Sequence, residues 1–347
     1  MSVRYHRFGQ TFIAKINNSN ELRQLLVDPW FESDNIIIKP NWVSTEPANF
    51  TDSETLRILL ESLDAQILIA ESHQLYRSLN LLKEGMTFSV GDKEVNWKWL
   101  LDGDGWNWLI QNPDWDWFKK DGHWDQIKKE DKTFLDDYGF TDLLKEFNVK
   151  YINVTDEVWS GKIAELTKIK NLVETHFKPV LINELYSMVP KKLYDLRGST
   201  FISFAKLTHH PSFTLKNIFG MIPDPLRPWW HGPGNNKLAE NIVDINKIYH
   251  ALFNVYGICE SLTTRAYSHP RGKFYNLYAG KYNILEGMGF IAFSRKLVSL
   301  DAILCNLAGF DFKDFNAYIN KAEEELGSYD RKLLKASKKR VGNWLSP

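Results

Sequence analysis

Cysteine is nearly missing from this sequence: Cys259 and Cys305 are the two in 347 residues. Two thiols cannot supply the four ligands of an iron–sulfur cluster or of most zinc modules, nor a disulfide framework. An excess charge of either sign is missing too, with 43 Lys plus Arg against 43 Asp plus Glu. A neutral chain has no global field for polyphosphate, so nucleic acid is not an expected partner. No apolar run approaches the roughly 20 residues that span a bilayer. The polar start (Arg4, His6, Arg7, then Asn17 to Asn20) shows no secretory apolar stretch. A cytoplasmic protein without a membrane partner is the expectation.

Hydrophobic residues make up 44% and charged residues 25%, an ordinary globular balance over a length that suits one elaborated domain or two. Asn35 to Lys39 (NIIIK) is apolar, β-branched and stopped by Pro40, which predicts a buried strand. Thr51 with Glu54 reads as a capping box opening a helix with Leu56, Leu59, Leu60 and Leu63 on one face. Ala65 to Ala70 gives a second strand, so a βαβ unit with a parallel pair is expected. Further strands are expected at Val149 to Val154, Val180 to Ile182, Thr200 to Ala205 and Tyr282 to Leu285. Helices are expected from Ile242 to Tyr256 stopped by Gly257, from Leu300 to Ala308 stopped by Gly309, and from Lys313 to Leu326 stopped by Gly327. The fold class is α/β, a mostly parallel sheet with helices on both faces. Its expected organisation is a single elaborated unit over 1–347, with a Trp-rich insertion at 86–135 and a C-terminal helical and α/β portion at 235–347 completing it.

That insertion stands out. Seven of the thirteen tryptophans lie between Trp97 and Trp124, interleaved with Asp102, Asp104, Asp114, Asp116 and Asp121. Rings this dense must be buried or engaged. A small subdomain packed on the main body satisfies that; so does a lid or a partner interface. The basic run Arg331, Lys332, Lys335, Lys338, Lys339 and Arg340 has no aromatic or glycine-rich accompaniment within it and reads as a solvated surface segment.

Parallel sheets bind ligands beyond the C-terminal ends of their strands. Polar residues at such ends are Lys39 and Asn41, then Glu71 and His73, then the dense stretch holding His209, His210, Lys216, Asn217, Arg227 and His231, then Glu286. Imidazole suits acid–base work and divalent metals, and a desolvated lysine suits an anion, a base or a nucleophile. The expected catalytic residues are His209, Lys216 and His231. Substrate contacts are expected from Lys39, Asn41, Glu71, His73, Asn217 and Arg227. A divalent metal on His209, His210 and His231 is a further expectation, although no specific metal motif such as His-Glu-x-x-His is present. Ordinary structural hydrogen bonding of these loop groups is the competing explanation. Asp301, in a first helical turn, reads as a structural partner of the helix dipole.

The order Lys39-Pro40-Asn41, Thr51-Asp52, Glu71-Ser72, Pro190-Lys191, Phe204 to His209, Thr214 to Gly220, His231, Glu286-Gly287 and Leu300-Asp301-Ala302 resembles domain-of-unknown-function family 362. The likeness runs from about residue 35 to 327, and its most specific piece is Lys216-Asn217-Ile218-Phe219-Gly220. Family members with appended ferredoxin modules use cysteine runs that this chain lacks, so no iron–sulfur cluster is implied. A more distant similarity links His209, Lys216 and His231 to the loop of the lactate racemase N-terminal domain that serves proton transfer, cofactor tethering and nickel ligation. Pro211 to Leu215 replaces that family's glycine-rich run, so a shared site location is implied and a shared reaction is not. Three functions stay open: an enzyme of small-molecule metabolism acting on a small anionic substrate, a non-catalytic small-molecule or metal-binding protein, and an interaction protein using the tryptophans.

Overall fold

The computed structural model describes residues 3–27, 31, 33–78, 80, 87–90, 92–101, 103–112, 123–210, 213–224, 227–275, 280–310 and 317–345. Its strands are β1 (Arg4–Phe8), β2 (Thr11–Lys15), β3 (Asn35–Lys39), β4 (Gln66–Glu71), β5 (Thr87–Val90), β6 (Lys93–Asn96), β7 (Lys150–Asn153), β8 (Thr200–Lys206), β9 (Asn254–Ser261), β10 (Thr264–Tyr275), β11 (Gly280–Glu286) and β12 (Phe290–Ser294). Eight of them form one sheet in the order β1-β2-β12-β9-β8-β3-β4-β7. From β7 through β4, β3 and β8 to β9 the pairing is parallel, while β12, β2 and β1 extend it antiparallel. The chain is an α/β protein on a mostly parallel sheet.

Strand periodicity divides the apolar residues between two cores. Ile37, Ala70, Phe201, Ala205, Val255 and Cys259 enter one core. Their neighbours Ile36, Ile38, Ile69, Ile202, Phe204 and Ile258 enter the other. Helices Leu238–Leu252 and Leu297–Ala308 supply the first core, and Ser53–Ser62 and Phe140–Glu146 the second. Each fully buried isoleucine contributes roughly 1.5–3 kcal/mol relative to exposure. With every residue of β8 buried, the continuous apolar run TFISFA is the pattern that a strand covered on both faces requires.

Several expectations are corrected. Asp52, not Thr51, caps the second helix: its carboxylate accepts from the Thr55 amide at 2.7 Å, while Thr51 Oγ1 accepts from the Asn41 amide at 3.2 Å. Val180 to Ile182 is no strand. The Val180 amide donates to Tyr186 Oη at 3.0 Å and the Leu181 amide to Asp244 Oδ2 at 2.8 Å, so side chains take the donors a ladder would use. Gly257 stops no helix; the helix ends at Leu252 and Gly257 lies inside β9. A Cβ there would meet Thr214 Oγ1 at 3.0 Å and Leu297 and Leu300 carbons at 3.1 Å, so glycine permits close helix-on-strand packing. The Tyr282 strand is β11, which pairs with β10 in a separate hairpin, so Glu286 does not follow a strand of the main sheet. The αL residue Gly309 does end its helix, with φ 78°. The helix expected from Lys313 is described from Ala317 to Glu325, its expected start lying outside the described residues.

β4 and β7 pair directly, so the Trp-rich run leaves the sheet between two neighbouring strands. Trp97 is buried, and Trp99, Trp106 and Trp108 are half-buried. Trp115, Trp117 and the Trp124 side chain fall outside the described residues, as do Asp102, Asp114, Asp116 and Asp121. Helix His123–Asp137 sends Phe134 and Leu135 into the second core, so its C-terminal part packs with the main body. The basic cations Arg331, Lys332, Lys335, Lys338, Lys339 and Arg340 are all exposed on the helix Arg331–Val341.

Candidate functional site

Lys39 ends β3 and Glu71 ends the adjacent parallel β4, so the two side chains leave the sheet at one edge. Lys39 Nζ donates to Glu71 Oε2 at 2.7 Å, Pro40 O at 2.9 Å and Asn217 Oδ1 at 3.0 Å, using all three of its protons. Glu71 also accepts from the Trp42 amide at 3.2 Å and the Ser72 amide at 3.0 Å. Asn217 Nδ2 donates to Lys39 O and to Ser203 Oγ, both at 3.1 Å. Burial pulls Lys39 down to about 8, against the pull of Glu71 in the other direction. The network is closed. It also explains the glycine of the Lys216–Gly220 piece, since a Cβ on Gly220 would stand 2.6 Å from Lys39 Nζ.

Arg227 is similarly committed. Its Nε donates to Ile222 O at 2.6 Å, and its Nη2 to Gly220 O at 2.9 Å and to Ser72 Oγ. Asp224, 3.9 Å from Arg227, accepts the Leu75 amide at 2.7 Å.

Lys216 differs. It sits on the short helix Thr214–Phe219, whose first turn is held by Asp301 from the neighbouring helix. The Asp301 carboxylate accepts from the Thr214 amide at 3.0 Å, Thr214 Oγ1 at 2.5 Å and the Leu215 amide at 2.9 Å, while burial pushes its carboxyl up to about 7. Asp301 is thus the cap of a different helix from its own. Asp301→Ala is expected to cost roughly 2–3 kcal/mol, measured by urea unfolding, because two buried amides lose their acceptor. A cost below about 0.5 kcal/mol would contradict that role. Lys216 Nζ makes no hydrogen bond or ion pair among the described residues, and burial alone pulls it down to about 8.

Lys39, Glu71, Lys216, Asn217, Arg227 and His231 line one cavity of about 130 Å³, together with Asn41 and Asp224. Its apolar walls include Trp42, Leu75, Phe219 and Pro228, and from the Trp-rich run Leu100 and Trp106. His231 lies with its ring centroid 5.2 Å from Trp106 and 5.3 Å from Phe219, edge-on to both. Its Nδ1 lies 2.8 Å from Asn235 Oδ1; an N–H donated there leaves Nε2 as the unprotonated nitrogen. Burial, aided by Lys216 and Arg227 and opposed by Asn235, pulls His231 down to about 4.

The other histidines lie elsewhere. His209 stacks on Tyr282, centroids 4.8 Å apart, and packs on His210 at 4.1 Å. Neither lines the cavity. Burial, with His209 and Lys216, pulls His210 down to about 3. His73 is sealed in a separate cluster: Nδ1 faces Asp131 Oδ1 at 3.1 Å and Nε2 faces Ser78 Oγ at 2.7 Å, while Asp131 also accepts from Arg77, Tyr151 and Asn153. This serine–histidine–aspartate chain has the connectivity of a nucleophile triad, but all three members are buried and none lines the cavity. Among the described residues no group of three or more His, Cys, Asp or Glu could hold a metal ion. The set His209, His210 and His231 is therefore not gathered as expected: His231 lines the cavity, and His209 and His210 do not. Trp106, Leu100 and Asp224 were not singled out in the sequence as site residues; density of tryptophan was the available signal for the first two.

The family model described as Domain of unknown function (DUF362) matches residues 36–306. No curated protein and no solved structure matches the chain. The chain belongs to the family of unknown function 362.

Proposed function

We propose that in this member of family 362 the cavity is the active site of an enzyme acting on a small anionic substrate. What carries the proposal is Lys216, a cation in a partly apolar wall with no partner among the described residues. Lys39 and Arg227 are spent on protein acceptors. Among the described lining residues the cations Lys39, Lys216 and Arg227 outnumber the carboxylates of Glu71 and Asp224 by one, so one bound negative charge would balance them. Lys216 holds that charge. His231 is the acid–base group: an anion beside Lys216 offsets the cations that depress it, which raises its affinity for a proton taken from the bound substrate. Among the described residues no helix is long and apolar enough to cross a membrane.

Lys216 is charged below about 8 and neutral above it. Affinity for acetate or inorganic phosphate, followed by calorimetry, is therefore expected to fall as pH rises through that value, and the fall is expected to vanish in Lys216→Met. An unchanged pH profile in that variant would remove Lys216 from the anion site. Binding without turnover of any tested small acid would favour the non-catalytic alternative.

A further inference from the structure

Among the described residues the cavity sets Asn41, Gln74, Tyr76 and Asn217 beside its charged groups, and it has a further apolar wall, half of it aromatic: Trp42, Leu75, Leu100, Trp106, Phe219 and Pro228. We infer, building on the anion reading of Lys216, that the ligand joins one anionic group to a compact aromatic or apolar body, and that Trp106 selects for that body. A volume of about 130 Å³ is close to the roughly 150 Å³ of a cavity that holds one benzene ring, so it suits a single ring. Acetate or phosphate alone would leave the apolar wall wet.

The tryptophan wall is fixed to the body. Trp97 begins a 3₁₀ turn (Trp97–Leu101) that carries Leu100, and its Nε1 donates to Gln126 Oε1 at 3.2 Å on the helix His123–Asp137. That helix is anchored in the second core by Phe134 and Leu135. The next helix, Gly103–Gln111, carries Trp106 and packs both on this turn and on the helix Arg227–His231. Gly105 allows the first contact, since a Cβ there would meet Trp99 O at 1.8 Å. Trp106 in turn meets the His231 ring edge-on. The ring that shapes the apolar wall therefore also touches the acid–base imidazole, so a body seated on Trp106 is held beside His231, with its anion on Lys216.

Calorimetry on the full chain tests this with four probes: phenylacetate and benzylphosphonate against acetate and inorganic phosphate. The aromatic acids are expected to bind at least about tenfold more tightly than their small counterparts. Trp106→Ala is expected to cut that ratio to about threefold or less, and Trp106→Phe to retain most of it, with circular dichroism confirming that both variants fold. Equal affinities for aromatic and small acids, or a ratio unmoved by Trp106→Ala, would overturn the aromatic-body inference and leave the anion reading of Lys216 intact. Binding of none of the four would overturn both.

Discussion

Replacing Lys216 by methionine is expected to weaken anion binding at neutral pH about a hundredfold and to leave the protein folded. The size follows from losing a charge-assisted hydrogen bond in a partly desolvated wall, where water competes poorly. The fold should survive because the ammonium has no partner to strand among the described residues. Stability should even rise slightly at neutral pH. Burial holds the folded pKa near 8, below the ordinary 10.5, so the contribution of this group to stability is fully present above the unfolded value and is lost as pH falls through the folded one. Methionine removes that loss. Calorimetric titration with acetate and a urea melt check both halves; a large drop in stability with unchanged binding would assign Lys216 to the framework.

Lys39→Met is expected to do the opposite: to cost about 3–5 kcal/mol in a urea melt, because Glu71 would remain buried without its cation. Asn217 Oδ1 and Pro40 O would lose a donor in the same step. Gly220→Ala should act in the same direction by driving a methyl group against Lys39 Nζ, which a Cβ would approach to 2.6 Å. The pair Lys39→Met with Glu71→Gln should recover part of the loss, since the stranded charge is then gone. A cost for Lys39→Met under about 1 kcal/mol would mean that the network is not the closed unit its distances describe. The two lysines thus separate framework from function: both are pulled down to about 8, and only Lys39 is fully hydrogen-bonded.

Local grammar made much of the fold readable. Isoleucines stopped by Pro40, the unbroken apolar run of β8 and the αL glycine after Ala308 each act within a few residues, and the structure has an element at each. Long-range partners were the unreadable part. Gly257 looks like a helix stop until Leu297 and Leu300 come to lie over it. Val180 looks like a strand until Tyr186 and Asp244 take the segment's amides. Asp301 is structural as expected, but it lies beyond the first turn of its own helix Leu297–Ala308 and instead caps a helix more than eighty positions earlier in the chain.

The site divides in the same way. The rule that ligands sit beyond the ends of parallel strands points to one edge of the sheet, where the cavity gathers Lys39, Asn41, Glu71, Lys216, Asn217, Arg227 and His231. Which of these groups are already satisfied depends on distances between segments, and spacing in the chain carries no trace of them. His209, close to Lys216 in sequence, stacks instead on Tyr282 of a separate hairpin, and His210 packs on His209.

Competitive acetylation of the full chain with acetic anhydride, read residue by residue by mass spectrometry from neutral to alkaline pH, tests the central claim most directly. Lys216 is expected to titrate near 8 and to be protected by a bound small acid. Titration of Lys216 near the ordinary lysine value, with no protection by any acid, would contradict it.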